Sequence, residues 1–177
     1  MLSQLPVQAD PRRLCEQGKS FAGKVALREL ARLTPLLASD EGEAAFTLEF
    51  DQDREKRPRI RGHVQATLSL VCQRCLGDMA LQVDAGFQLT PVSGPREAEM
   101  LPDDYDPLML DEPLLRLLDL VEDELILAIP PAPRHSGLAC GASHSGQEQA
   151  EPVEGTPPRA DSPFAMLAKL KRDNNDE

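Results

Sequence analysis

A chain of 177 residues is long enough for one ordinary domain but too short for two, and its formal net charge of -11 argues against broad, non-specific nucleic-acid binding. Only 3% of the residues are aromatic and 16 are prolines, so we expect a modest globular core with non-globular segments attached. No apolar signal-peptide core opens the chain, and charges interrupt its longest apolar stretch, so a cytoplasmic protein without a membrane span is expected.

The first predicted element is a helix over residues 24–37, KVALRELARLTPLL. Its apolar residues recur at roughly helical spacing, although Pro35 weakens the pattern. These apolar residues are Leu27, Leu30, Ala31 and Leu33.

Three segments with alternating apolar and polar residues follow, at 43–51, 59–72 and 79–89. Alternation with period two is typical of strands that bury one face, so the segments predict an antiparallel β-meander with one wet face. The residues expected on the buried face are Ala44, Phe46, Leu48 and Phe50, then Ile60, Val64, Ala66, Leu68, Leu70 and Cys72, then Met79, Leu81, Val83, Ala85, Phe87 and Leu89.

A second helix is predicted over residues 114–128, LLRLLDLVEDELILA, after an acidic, proline-bearing start and before Pro130. Its apolar stripe should cover the dry face of the sheet. Glu122, Asp123 and Glu124 are expected on its solvated face. The stripe consists of Leu114, Leu117, Leu118, Val121, Leu125 and Ala128.

The C-terminal part of the chain has a different composition. Residues 141–160 read as a disordered linker, and 161–177 as a short helical segment with Ser162 as its N-cap. Phe164, Leu167 and Leu170 form one narrow apolar stripe there, which we expect to bind a partner. The sequence thus predicts an α+β protein: a single domain over 1–140, a β-meander packed by flanking helices, then linker and terminal helix.

Two of the four cysteines, Cys72 and Cys75, lie where the second predicted strand turns toward the third, in SLVCQRCLGDM. In a cytoplasmic protein they are expected as reduced thiols or metal ligands. A CxxC turn followed by Gly77 can direct both thiolates at one metal, but two ligands do not hold a structural zinc. Candidates for the other ligands are Cys15, His63, His135, Cys140 and His144.

His135 and Cys140 are the most attractive second pair, because they lie close together in a loop rich in proline and glycine. With the CxxC they would complete a Cys₃His zinc site. Cys15 stands in a polar N-terminal stretch and is interpreted as incidental. Two alternatives stay open: a redox pair, which normally precedes a helix in a βαβ unit, or a core residue (Cys72) beside a turn residue (Cys75).

The chain contains no G-x-S-x-G, no Gly-rich phosphate loop and no H-E-x-x-H. Neither a catalytic residue nor a small-molecule substrate is therefore expected.

Several stretches together resemble the YceD family, a DUF177-type group described as large ribosomal RNA subunit accumulation proteins. In order they are SFAGKV, LVCQRCL, LPDDYDPL, DLVEDELILAIPPAP, RHSGLAC and SPFAMLAKLKR. The resemblance runs from about residue 5 to residue 172, outside the 141–160 linker. It implies a non-catalytic role in the synthesis, processing or accumulation of 23S ribosomal RNA, and so in assembly of the large subunit.

Charge patterning adds a hypothesis about partners. Residues 54–61, REKRPRIR, carry five basic residues and one acidic residue, whereas 93–129 carry eleven carboxylates and two arginines. Arg57, Arg59 and Arg61, together with His63 and with Arg74 in the CxxC turn, would contact RNA phosphates. The acidic region would face a basic partner such as a large-subunit ribosomal protein. The competing classes are a protein-interaction module without RNA contact and a CxxC thiol oxidoreductase.

Overall fold

The computed structural model describes residues 5–103, 105–136 and 140, and a β-sheet occupies its centre. In chain order the strands are β1 (Gln8–Ala9), β2 (Ser20–Ala26), β3 (Glu43–Gln52), β4 (Pro58–Val71), β5 (Asp78–Val92), β6 (Asp106–Met109) and β7 (Leu115–Arg116). The helices are α1 (Pro11–Gln17), α2 (Pro95–Glu99) and α3 (Leu117–Leu127), with short 3₁₀ turns at Leu27–Glu29 and Thr34–Leu36.

The main sheet has five strands in the order β2-β3-β4-β5-β6. Strands β2 to β5 are antiparallel neighbours, whereas β6 joins β5 in parallel; β1 and β7 form a separate antiparallel pair. The α+β class and the meander predicted for β3, β4 and β5 are confirmed. The predicted linker and terminal helix lie outside the described residues.

Alternation of buried and exposed residues follows the predicted pattern along the three central strands. All six inward residues of β4 and of the turn after it are at most 8% exposed, from Ile60 to Cys72. The residues of β5 predicted to face inward are mostly half-buried, and of these only Val83 is fully buried. Inside the core the rings of Phe21 and Phe50 meet edge to face, with centroids 5.9 Å apart. The dry face of the sheet is therefore the face the sequence indicates.

The helix predicted over 24–37 is wrong. Residues up to Ala26 belong to β2, where Phe21 and Val25 are buried and the strand pairs with β3. Leu27, Leu30 and Leu33 are buried as well, but they reach the core through the two 3₁₀ turns. Pairing with β3 and the proline in the second turn override the helical spacing.

Helix α1 and the environment of Cys15 differ from the sequence interpretation. Asp10 caps the helix by accepting from the N–H groups of Arg12 and Arg13, and Gly18 ends it in the left-handed conformation at φ 60°. Cys15 faces the core at 2% exposure, and its Sγ donates to the carbonyl oxygen of Arg59 at 3.3 Å. The thiol is a packing residue of the core.

Helix α3 begins at Leu117, three residues later than predicted, because Leu115 and Arg116 form β7. Leu114, expected on the apolar stripe, is 53% exposed. Glu122 was expected on the solvated face but is only 5% exposed. Its carboxylate accepts from the backbone N–H groups of Arg32 and Leu33 at 2.6 and 3.1 Å, which satisfies the buried charge.

All described residues fall within one compact unit that spans residues 1–143. Within the part of the chain that the structure describes, no helix has both the length and the apolar character needed to cross a membrane.

Candidate metal centre

The turn between β4 and β5 holds the first pair of candidate ligands. The N–H of Cys72 donates to the carbonyl oxygen of Gly77 at 2.9 Å, and the N–H of Leu76 donates to that of Cys72 at 2.9 Å. Leu76 takes a left-handed conformation, with φ 59°, to close this turn. The tight turn places the Cys72 and Cys75 side chains on a common point.

The segment after α3 brings the second pair to the same point. It is attached to the turn by a hydrogen bond of 2.8 Å from the N–H of Gln73 to the carbonyl oxygen of Pro133. Cys72 Sγ lies 3.3 Å from Cys140 Sγ, and Cys75 Sγ lies 3.5 Å from His135 Nδ1. All four potential ligand atoms lie within 4.8 Å of one another. Ligands of a tetrahedral zinc stand ~3.3–3.8 Å apart, so the donor set and its spacing fit that ion.

A second contact orients the histidine. His135 Nε2 lies 3.0 Å from the carbonyl oxygen of Asp78, an acceptor, so Nε2 must carry the hydrogen. In the neutral imidazole, Nδ1, which faces the sulfurs, then carries the lone pair that a metal would take. This arrangement is the usual way in which a protein fixes the tautomer of a metal-binding histidine.

The electrostatics of the cluster favour the thiolate form at Cys72 and Cys140, whereas the neighbouring sulfurs of those two residues and burial raise the pKa of Cys75. Burial acts to raise the pKa of the Cys72 thiol, but N–H groups of Cys75, Arg74 and His135 and the Cys140 side chain outweigh it and bring that pKa to about 5. A hydrogen bond from Arg74 lowers the pKa of Cys140. A Cys₃His zinc complex would carry one negative charge, which the Arg74 guanidinium could compensate.

The remaining candidate ligands lie elsewhere. Burial raises the pKa of the Cys15 thiol to about 11, so this cysteine stays a neutral core residue. His63 is on the outer face of the sheet, where Nε2 contacts Asp84 Oδ1 at 2.8 Å. His144 is outside the described residues. The CxxC lies between two strands and does not precede a helix, so the helix that activates redox cysteines is lacking here.

The arginines proposed to contact RNA are engaged with carboxylates. Arg59 makes a two-fold contact with Asp51, Nε to Oδ1 at 2.8 Å and Nη2 to Oδ2 at 2.9 Å. Arg61 contacts both Asp51 and Glu49, at 2.9 and 3.0 Å.

Arg57 precedes β4, pairs with Asp53 and Glu55, and stacks over the ring of Tyr105 at 5.0 Å. Arg74 differs from the other three arginines, since it lies in the turn between Cys72 and Cys75 and forms a hydrogen bond with Cys140.

The charge pairs were overlooked in the sequence because they depend on strand register. Arg59 stands opposite Asp51, and Arg61 opposite Glu49, in the β3–β4 ladder. Both carboxylates fall on the outward side of the alternating pattern, so a hairpin alignment would have revealed the pairs. Phe164, Leu167 and Leu170, the predicted partner-binding residues, lie outside the described part of the chain.

Comparison with known proteins shows similarity over most of the chain. A family model described as "Large ribosomal RNA subunit accumulation protein YceD" matches residues 60–171. A curated protein of that description from Haemophilus influenzae is 34% identical over 174 residues, which cover 96% of this chain and 97% of the relative. No solved structure matches this chain.

Proposed function

The chain belongs to the YceD family, and on that premise we propose that it is a non-catalytic factor that supports synthesis, processing or accumulation of 23S ribosomal RNA. The observation that carries this proposal is the near-complete coverage of both chains in the comparison with the Haemophilus influenzae protein, whose name refers to large-subunit ribosomal RNA. Similarity confined to one domain of the two proteins would be weaker support for a common function. The protein would act in the cytoplasm, during assembly of the large subunit.

Loss of the protein should lower the ratio of large-subunit to small-subunit ribosomal RNA. The measurement compares the two RNAs and the subunit profile in a deletion strain and in the same strain carrying the gene on a plasmid. Growth in the cold and rapid growth are included, because assembly defects are exposed under these conditions. Normal subunit profiles under every condition would refute the proposed role.

We further propose that Cys72, Cys75, His135 and Cys140 bind one structural zinc. The convergence of their four ligand atoms, the bond from His135 to Asp78 and the lowered pKa values of Cys72 and Cys140 support it. Bound zinc would link the β4–β5 turn to the segment after α3, and all four positions would be filled by protein, which leaves no site for substrate.

Protein purified without chelator should contain about one zinc per chain by elemental mass spectrometry. Cys75→Ser should lose most of this metal, since a hydroxyl is a poor replacement for a thiolate. Cys15→Ser is the matched control and should keep it. Equal metal content in the two variants would contradict the site, and a metal-free yet fully stable wild type would support Cys72 as a core residue.

Two kinds of partner are compatible with the proposed function, RNA and a ribosomal protein. Contact of Arg57, Arg59, Arg61 and Arg74 with RNA stays a prediction, and it would require phosphates to replace the carboxylates that now pair with three of them. Those pairs favour the alternative, an acidic protein-interaction module that binds a large-subunit ribosomal protein. A terminal helix that uses Phe164, Leu167 and Leu170 would belong to the same function.

Crosslinking in cells separates the two alternatives. Recovery of 23S precursor RNA on peptides that contain Arg59 or Arg61 would support RNA contact. Recovery of ribosomal protein alone would support the interaction module. Disulfide exchange catalysed by the purified protein would instead favour the thiol oxidoreductase.

A further inference from the structure

An apolar groove lies beside the cysteine turn, between three parts of the fold. Its lining includes Leu36 from the second 3₁₀ turn, Leu70 and Val71 from β4, and Ile126, Ile129 and Pro131 from the end of α3 and the segment after it. The groove has a volume of about 430 Å³, within the range of ~300–1,000 Å³ typical of ligand pockets. Leu36 is 49% exposed, so the groove opens to solvent.

The end of α3 beside this groove has carbonyl groups that lack backbone donors. The N–H of Ala128 donates to Glu124, and that of Ile129 to Ile126. The next two residues, Pro130 and Pro131, have no N–H to offer. Within the described chain the carbonyl oxygens of Leu125, Leu127 and Ala128 therefore accept no backbone hydrogen bond. They leave a site that suits an incoming N–H donor or cation.

The charges around the groove are unevenly divided. The last turn of α3 contains no basic residue to offset the helix dipole. About one turn before Ile126, Arg32 pairs with both Glu122 and Asp123, which leaves an excess of one carboxylate in this cluster. Among the described residues, no charged side chain lines the groove itself; Arg134 follows Pro133, one of the lining residues, in the chain. A ligand's positive charge is thus favoured at the α3 end.

We infer that this groove docks a short segment of a basic protein, in which an apolar side chain is followed by lysine or arginine. The apolar side chain fills the space beside Leu36 and Val71, and the cation lies at the C-terminal end of α3. An anionic ligand such as RNA would meet the wrong pole of the helix there. The inference rests on the proposed role only in its choice of partner, a ribosomal protein of the large subunit.

The experiment uses an array of short overlapping peptides that together cover the large-subunit ribosomal proteins. The array is incubated with the purified full-length protein. Peptides that bind are then titrated in solution against two variants. Leu36→Arg blocks the groove. Leu114→Arg adds the same charge at a leucine of nearly equal exposure, 53% against 49%, away from the groove.

We expect the peptides that bind to carry leucine, isoleucine or phenylalanine next to lysine or arginine. Leu36→Arg should weaken their binding about tenfold or more, which corresponds to ~1.4 kcal/mol, while Leu114→Arg should leave it nearly unchanged. If Leu36→Arg does not fold, as judged by its melting curve, Val71→Arg at 36% exposure replaces it.

Absence of any peptide sensitive to the groove variant alone would overturn the inference, as would acidic peptides that show this sensitivity. Equal loss in both variants would point to non-specific charge attraction and would also overturn it. The assay uses purified components, so its failure leaves the subunit RNA ratio of a deletion strain to decide the ribosomal role separately.

Discussion

Glu122 shows how one residue can decide the connection between two distant parts of the chain. Its carboxylate is buried on α3 and receives two backbone N–H groups and the Nε of Arg32, the last at 3.1 Å. Those donors belong to the segment between the two 3₁₀ turns, which has few other hydrogen bonds to the helix. A buried carboxylate with this many donors stabilises a fold only while all of them remain paired.

Glu122→Gln should destabilise the protein by about 2 kcal/mol, because an amide cannot accept at both of its terminal atoms. Asp123→Asn is the matched control. Asp123 contacts the same arginine at 2.6 Å, but it is half-exposed, so its loss should cost less than about 1 kcal/mol. Urea unfolding of the two variants measures the difference, and equal costs would show that the backbone contacts of Glu122 contribute little.

At the scale of elements, the β4–β5 pairing depends on a glycine covered by an aromatic ring. Gly62 stands beside Leu48 on one side and Phe87 on the other. A Cβ built on Gly62 would come within 2.0 Å of the Phe87 ring, closer than any real contact. The ring therefore fills the space that a side chain at residue 62 would need.

Gly62→Ala should destabilise the protein by about 1–3 kcal/mol, since the Phe87 ring must leave its position. Gly86→Ala, on the neighbouring strand, is the control and should be nearly neutral, because its added Cβ would meet only an ordinary contact of 3.5 Å. Combining Gly62→Ala with Phe87→Ala should cost less than the sum of the single changes. Strict additivity in thermal or urea unfolding would disprove the steric explanation.

The elements differ in how well their sequence predicts them. Strands β3 to β5 are recognisable because the residues on one face are more buried than those on the other along most of each strand. Strand β2 is not, because Gly23 interrupts its alternation between Phe21 and Val25, and the leucines that follow are spaced as in a helix. Only the pairing with β3 decides between a strand and a helix here, and the local sequence pattern does not contain that information.

At the scale of the whole molecule, the outer face of the sheet carries a network of charged side chains that pair with one another. Hydrogen bonds and charge from Arg59 and Arg61 lower the pKa of Asp51 below its ordinary value of 3.8. Asp84, held by Gln65 and His63, also has a lowered pKa. Carboxylates with lowered pKa values in the folded state stabilise it above their ordinary pKa, and this stabilisation is lost as the pH falls through the folded-state value.

Asp51→Asn should therefore destabilise the protein by about 0.5–1 kcal/mol near neutral pH. The difference from the wild type should shrink as the pH falls below 3.8, where the wild-type carboxylate also becomes neutral. Asp40→Asn, at an exposed position without an ion pair in the described structure, is the control and should leave the free energy of unfolding near neutral pH almost unchanged. Urea unfolding of the wild type and the variant, from neutral pH to below 3.8, measures this difference in the free energy of unfolding. A difference that stays constant with pH would contradict the assigned role of Asp51.

The candidate site was more accessible to sequence reasoning than the charged surface. Ligand chemistry restricts a metal site to a few residue types, so a CxxC turn and a nearby His/Cys pair already indicate which side chains meet. An arginine carries no such restriction, because solvent, phosphate and carboxylate all suit it. Whether Arg59 and Arg61 are available to a partner depends on the strand opposite, which becomes apparent only when the register is known.

The two halves of the cysteine cluster also have a consequence for the timing of folding during translation. Cys72 and Cys140 are 68 positions apart, and the chain between them contains β5, β6, β7 and α3. A nascent chain that stops before residue 135 has half of the donor set and cannot hold zinc tightly. Metal capture would thus occur only after the last core element has left the ribosome, and a prematurely terminated chain would stay without this cross-link and be open to proteolysis.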